Sequence, residues 1–246
     1  MDRASPIGRI LFAGGLAAIG CQDLIGADFV GELQPVSALV PWHPLWAWIL
    51  GVLLIATCAG VVAGRRRAAV ALAVLMSAWV VVLWVPSMLA HPTDGGRWTG
   101  AFEIASLTAG AWILAGAGRA GRIGFGLCLP AFGVLHFVYV AYVASVIPAW
   151  IPGHVFWAYA TGVAHIAAGL AIASGVLARL AATLLAIMFG AWAVLLHVPR
   201  VAAHLHDRPE WTSLFVVVAM CGAAAIAAAS LPGGRAGADR RPVAAR

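Results

Sequence analysis

The sequence predicts an all-α membrane protein of eight transmembrane helices, arranged as two parallel-repeat four-helix bundles. Three observations predict it: the hydropathy, the placement of arginine, and an internal repeat. Of 246 residues 63% are hydrophobic and only 10% charged, with a mean hydropathy of +0.97. That balance lies far from a soluble domain. All fifteen cationic side chains are arginines. The segment "AWVVVLWVPSMLAHPTDGGRWTGAF" (78–102) aligns without gaps on "AWAVLLHVPRVAAHLHDRPEWTSLF" (191–215), with 12 of 25 residues identical and an offset of 113 (Trp192 against Trp79).

A spanning helix needs roughly 20 mainly apolar residues, and the chain offers eight such runs: 7–27, 45–63, 68–90, 101–117, 123–147, 156–174, 180–198 and 211–231. The first lacks a small-residue cleavage site and continues past Asp23 into the repeated pattern, so it reads as a mature helix rather than a leader. Glycines within the runs suit helices that pack backbone to backbone through small residues. The offset also pairs Gly8-Arg9-Ile10 with Gly121-Arg122-Ile123, and "PWHPLWAW" with "PGHVFWAY" after a two-residue shift. Two copies of a four-helix unit follow, residues 1–117 and 118–232, joined through "GAGRAG" (116–121). Each unit has an even number of spans, so the copies share one orientation about an axis along the membrane normal. Residues 233–246 read as a disordered cytoplasmic tail.

Arginine sets the orientation. With both termini inside the cell membrane, Arg3, Arg9, Arg65, Arg66, Arg67, Arg119, Arg122, Arg179, Arg235, Arg240, Arg241 and Arg246 are cytoplasmic, and only Arg97, Arg200 and Arg208 lie outside. The net charge of +6 is then explained by topology and anionic lipid head groups in the bilayer, and nucleic acid is not an expected partner.

The stretches "GVAHIAAGLAIASGVLARLAA" (162–182) and "GRIGFGLCLPAFGVLHF" (121–137) resemble the second and first helices of DoxX-like integral membrane proteins; "GVLLIATCAGVVAGRRRAA" (51–69) follows the same pattern more loosely. The resemblance implies a tandem duplication of that family's four-helix unit. It also implies kinship with membrane subunits of thiosulfate:quinone oxidoreductases or with partners of thiol-linked redox enzymes. Many members of the family carry a glutamate where this chain has His165.

All eight histidines fall in the outer half under this topology. Asp23, His136 and His197 lie toward the outer ends of ascending helices, Glu103 at the outer start of a descending one, and His165 near the middle of another. Ionisable groups at membrane depth are costly and usually face a bundle interior or a water-filled cavity. Superposing the copies puts Asp23 on His136, Leu54 on His165, Trp84 on His197 and Glu103 on Val216, so the intramembrane histidines belong to the second copy. His136, His165 and His197 come from three helices and can converge. Tyr139 and Arg200, three residues beyond His136 and His197, fall on the same helical faces.

Three roles fit those histidines: interhelical hydrogen bonding, a ligand or proton-handling pocket such as a quinone site, and, with less support, a metal or haem site. Asp23 and Glu103 form a secondary polar site, binding one another through water, accepting protons or pairing with Arg97. The paired His-x-x-Asp-x-x-x-Trp-Thr segments read as outer turns in which Asp94 and Asp207 cap the next helix. Cys21, Cys58, Cys128 and Cys221 lie within helical runs without CxxC spacing, as small packing residues. The function expected is a membrane subunit or small redox module that receives a quinone or similar amphipathic ligand in an outward pocket and works with a redox-enzyme partner. A non-enzymatic assembly or chaperone-type protein and a small-molecule transporter are the alternatives.

Cysteines placed at Asp94 and Asp207 should be labelled by an impermeant maleimide on intact cells, and those at Arg66 and Arg179 only after the inner face is opened. Labelling of Arg66→Cys from outside overturns the orientation.

Overall fold

The computed structural model describes residues 5–231, and the expected tail at 233–246 lies outside them, as do Arg3, Arg235, Arg240, Arg241 and Arg246. Among the described residues the chain forms nine helices and no strand. They are α1 (Pro6–Gly26), α2 (His43–Val62), α3 (Arg66–Ala90), α4 (Gly95–Ala115), α5 (Gly118–Val138), the short α6 (Val140–Val146), α7 (His154–Ser174), α8 (Ala178–Ala203) and α9 (Arg208–Ser230). Seven of these, all but α4 and α6, are long and apolar enough to cross a membrane. Helix α4 matches α1 in length at 21 residues. Large apolar side chains such as Val81, Val82, Leu127, Val163, Leu184, Ile187 and Val194 stand on the outer surface. A belt of that kind is what a lipid-facing protein presents.

The long helices close into a ring. Each packs on the next in the order α1, α2, α3, α4, α5, α7, α8, α9, and α9 packs back on α1. Helices α4 and α9 also meet across the middle. The fourth long helix therefore touches the fifth, and the last touches the first.

Glycine makes the closest approaches possible. A Cβ on Gly133 of α5 would lie 2.5 Å from the Gly162 carbonyl of α7, and one on Gly126 would lie 2.8 Å from the Gly169 carbonyl. Gly20 and Gly51 hold α1 to α2 in the same way, each within 2.8 Å of the other's carbonyl. Gly121 meets Ala109 and Ile113 of α4, while Gly8 meets Gly222 and Ile226 of α9.

Two helices that the hydropathy presents as uniform are locally rewound. Val80–Trp84 within α3 and Ala193–His197 within α8 are π-helical turns, 113 residues apart, with Val85 N–H donating to Val80 O and Val198 N–H to Ala193 O. Pro86 and Pro199 follow directly. A proline has no N–H and crowds the carbonyl four residues back, and the wider turn just upstream accommodates it. A third break corrects the single run expected over 123–147: Tyr139, at φ −110° and ψ 34°, separates α5 from α6.

The turns that precede α4 and α9 repeat in detail. Trp98 Nε1 donates to Pro92 O and Trp211 Nε1 to Leu205 O, both at 2.9 Å. Asp94 caps α4, accepting from Gly96 N at 2.9 Å and Arg97 N at 3.2 Å. Asp207 makes no such bond, contrary to expectation; Pro209 removes one of the two N–H groups that a cap like that of Asp94 would use. At the opposite end Arg66 Nε donates to Ala115 O at 2.8 Å, and Arg122 donates to Ile172 O and Ala173 O. Cys58 is buried, Cys128 and Cys221 are half-buried, and Cys21 is exposed rather than packed inside; all four are free thiols.

Gly133→Ala should lower the thermal unfolding temperature in detergent, by overpacking worth about 1–3 kcal/mol. Gly14→Ala, with nothing within 4 Å of the new methyl, should raise stability by about 0.5–1 kcal/mol. Shifts of the same sign at both positions would show that backbone contact does not join α5 to α7.

Candidate functional site: a histidine-lined cavity

The glycine contact between α5 and α7 brings two imidazoles together. The rings of His136 and His165 lie 5.0 Å apart between centroids, with Phe132 at 5.8 Å and Phe189 at 5.6 Å from His165. His136 Nδ1 lies 2.7 Å from Phe132 O and His165 Nδ1 2.8 Å from Thr161 O, each a carbonyl one turn back in its own helix. A carbonyl can only accept, so both rings carry their proton on Nδ1. Each Nε2 is left as a lone pair, and among the described residues no protein group hydrogen-bonds to either.

Helix α8 supplies the third histidine. His197 closes the π-helical turn, and its Nδ1 is buried without a partner. Three residues on, Arg200 reaches α9 in a two-pronged ion pair, Nε to Glu210 Oε2 at 2.8 Å and Nη2 to Oε1 at 2.5 Å. These groups surround a cavity of about 330 Å³. Phe132, Phe189, Trp192, Leu196, Val217 and Met220 give it apolar walls, and Tyr142, Glu103 and the exposed Glu32 add oxygen atoms. Size and lining are those of a small-molecule site.

Five of the residues singled out in the sequence therefore line one cavity: His136, His165, His197, Arg200 and Glu103. Tyr139 does not line it. The helix breaks at that residue, so its spacing from His136 no longer places it on the same face, and its ring lies against Gly95 with the hydroxyl 3.5 Å from Thr93 O. Tyr142, one turn into α6, lines the cavity instead.

The expected partnership of Asp23 with Glu103 is also corrected. Glu103 lines the cavity with the histidines, because α4 packs on α5 and α9. Arg97, its other proposed partner, engages Ser87 and Asp94. Asp23 belongs to a separate cluster. It accepts from Val30 N at 3.2 Å and Gln34 Nε2 at 3.0 Å, with Arg208 Nη2 at 3.8 Å. Through these bonds the segment after α1 tucks inward, burying Val30, Leu33 and Gln34, and Trp84 Nε1 donates to Leu33 O at 2.9 Å. Above it His43 lies 2.7 Å from Asp28, and that hydrogen bond holds the Asp28 carboxyl below the usual carboxylate range. The first half thus fills with its own chain the region where the second half is hollow.

No cluster of three or more His, Cys, Asp or Glu placed to hold a metal ion occurs among the described residues. A family model described as "Domain of unknown function (DUF8561)" matches residues 125–221, the stretch that carries all three cavity histidines, Arg200 and Glu210. No curated protein and no solved structure matches the chain.

Arg200→Leu should destabilise the protein by about 1–3 kcal/mol, since the Glu210 carboxylate loses its partner in a half-buried setting. Adding Glu210→Leu should restore most of the loss. Thermal unfolding of the three forms checks this; a double variant no better than the single one contradicts it.

Proposed function

We propose that the chain is an eight-span cell-membrane protein built from two copies of a DoxX-like four-helix unit, with α4 as the eighth span and both termini cytoplasmic. Its second half binds a quinone-class amphipathic ligand in a cavity that opens outward. It acts as a membrane subunit or small redox module, with a separate redox-enzyme partner supplying or taking the electrons. The duplication is supported by the matched π-helical turns, tryptophan bonds and glycine contacts. The outward opening is supported by the arginine distribution.

The observation that carries the ligand reading is the free Nε2 on both His136 and His165. Histidines that served only to join helices would spend their nitrogens on a neighbouring helix. Here each Nδ1 bonds within its own helix, and the second nitrogen is kept for something else. Two imidazole lone pairs and the Glu103 carboxyl make the cavity rich in acceptors, so it favours a ligand that donates hydrogen bonds. Among quinone-class molecules that is the hydroxyl-bearing reduced form. When such a quinol gives up its electrons to the partner, His136, His165 and Glu103 are placed to take its two protons.

His165→Leu, which installs the residue found at Leu54 in the first copy, should leave folding nearly intact while the bound quinol is lost. Leucine suits the apolar wall, and the Thr161 carbonyl keeps its backbone partner in the helix. Thermal stability and co-purified quinone are measured together in wild type and variant. A destabilised variant with unchanged ligand content contradicts the proposal.

A further inference from the structure

A second cavity, of about 410 Å³, lies between α7 and α8 at the end where the outer turns gather. Ala160 and Ala164 of α7 and Ala191 of α8 hollow it out, and its rim is exposed on the surface of the bundle at Trp150 and Leu195. Its walls are apolar; the Thr161 hydroxyl is spent within α7, 2.7 Å from Trp157 O. Thr161 and Trp192 line both cavities, so these two side chains form the partition between the hollow and the histidines.

The first copy serves as an internal control. With the two-residue shift that pairs Trp157 with Trp46, the positions of Ala160, Thr161 and Ala164 carry Ile49, Leu50 and Leu53. Two of the three small residues that open the second cavity, Ala160 and Ala164, thus occur in the same half as His165 and are replaced by large ones in the half that has Leu54, while Ala191 aligns with Ala78. An apolar hollow that accompanies the polar pocket, adjoins it and opens sideways through the apolar surface has the shape needed for a hydrocarbon chain.

We propose that this second cavity holds the hydrocarbon tail of the same lipid whose hydroxyl-bearing head occupies the histidine pocket, the tail passing Trp192 between α7 and α8 toward the bilayer. The inference rests on the ligand reading above and names its class: a tailed lipid, isoprenoid or alkyl, rather than a compact soluble molecule. Each pair of methylenes buried strengthens binding by about tenfold.

The test uses the purified full chain in detergent under anaerobic conditions and two reduced probes with the same head: 2,3-dimethoxy-5-methylhydroquinone, which has no tail, and decylubiquinol. Equilibrium binding is measured for wild type, for Ala160→Ile/Ala164→Leu, which gives α7 the side chains of Ile49 and Leu53, and for the milder Ala164→Leu. We expect the tailed probe to bind wild type at least tenfold tighter than the tailless one. In the double variant that advantage should fall below threefold, with affinity for the tailless probe unchanged; Ala164→Leu should lie between. Because micelle partitioning of the tail is common to all the proteins, the comparison between variants isolates the cavity.

A double variant that keeps the full tail advantage overturns the proposal, as does a wild type that binds both probes equally; both outcomes leave the histidine pocket standing. A tailed probe that still binds after His165→Leu, with its affinity lowered only by the alanine substitutions, would mark the hollow as a lipid site independent of the head pocket and also overturns it. Wild type that binds neither probe removes the ligand reading together with its tail.

Discussion

Two glycine pairs, Gly126 with Gly169 and Gly133 with Gly162, let the backbones of α5 and α7 touch, and the pairing of the two imidazoles at the centre of the cavity follows from that contact. Without a side chain between them the helices are close enough for His136 to sit beside His165. Phe132, one turn before His136, and Phe189 of α8 then close around the His165 imidazole. Between lipid-facing helices little hydrophobic force remains to drive association, so close backbone packing carries more of the load than it would in water. A substitution at Gly133 or Gly162 therefore acts on the cavity as much as on stability.

Both halves are built on the same contacts, yet they end in opposite states. In the first, Asp23 gathers Val30 and Gln34, Trp84 holds Leu33, and the chain fills the interior. In the second, His136 stands where Asp23 would be and His197 where Trp84 would be, while the following segment forms α6, whose Tyr142, Val143 and Val146 line the cavity. A carboxylate that binds backbone and amide groups pulls a loop inward. An imidazole that bonds to its own helix exerts no such pull and keeps one nitrogen free.

Much of this was legible in the sequence. Hydropathy located the long helices to within a few residues apart from the run over 123–147, the 113-residue repeat anticipated the recurring turns, expected depth in the membrane picked out His136, His165 and His197, and spacing from His197 picked out Arg200. What escaped were features that depend on more than local pattern. The π-helical turns and the break at Tyr139 leave the hydropathy unchanged, because backbone geometry alters there without any change in apolar composition; Tyr139 was misplaced and Tyr142 missed for that reason. Glu103 was assigned to Asp23 because both lie in the first copy. Its real place depends on α4 packing against α5 and α9, helices of the other half of the chain, which spacing along the chain does not encode. The capping expected of Asp207 is missing where Pro209 removes one of the N–H groups it would use.

That placement of α4 has a further consequence. The 113-residue offset aligns Glu103 with Val216, and both line the same cavity. Were the unit encoded once and assembled as a pair of identical chains, any acid introduced at this position would appear on both central helices. Two carboxylates would then face one another across the axis. On the proposed duplication, joining the copies in one polypeptide frees each position to be chosen separately. One helix can offer a single acid while its counterpart offers valine, and the fused chain can hold a lopsided charge that a symmetric dimer cannot.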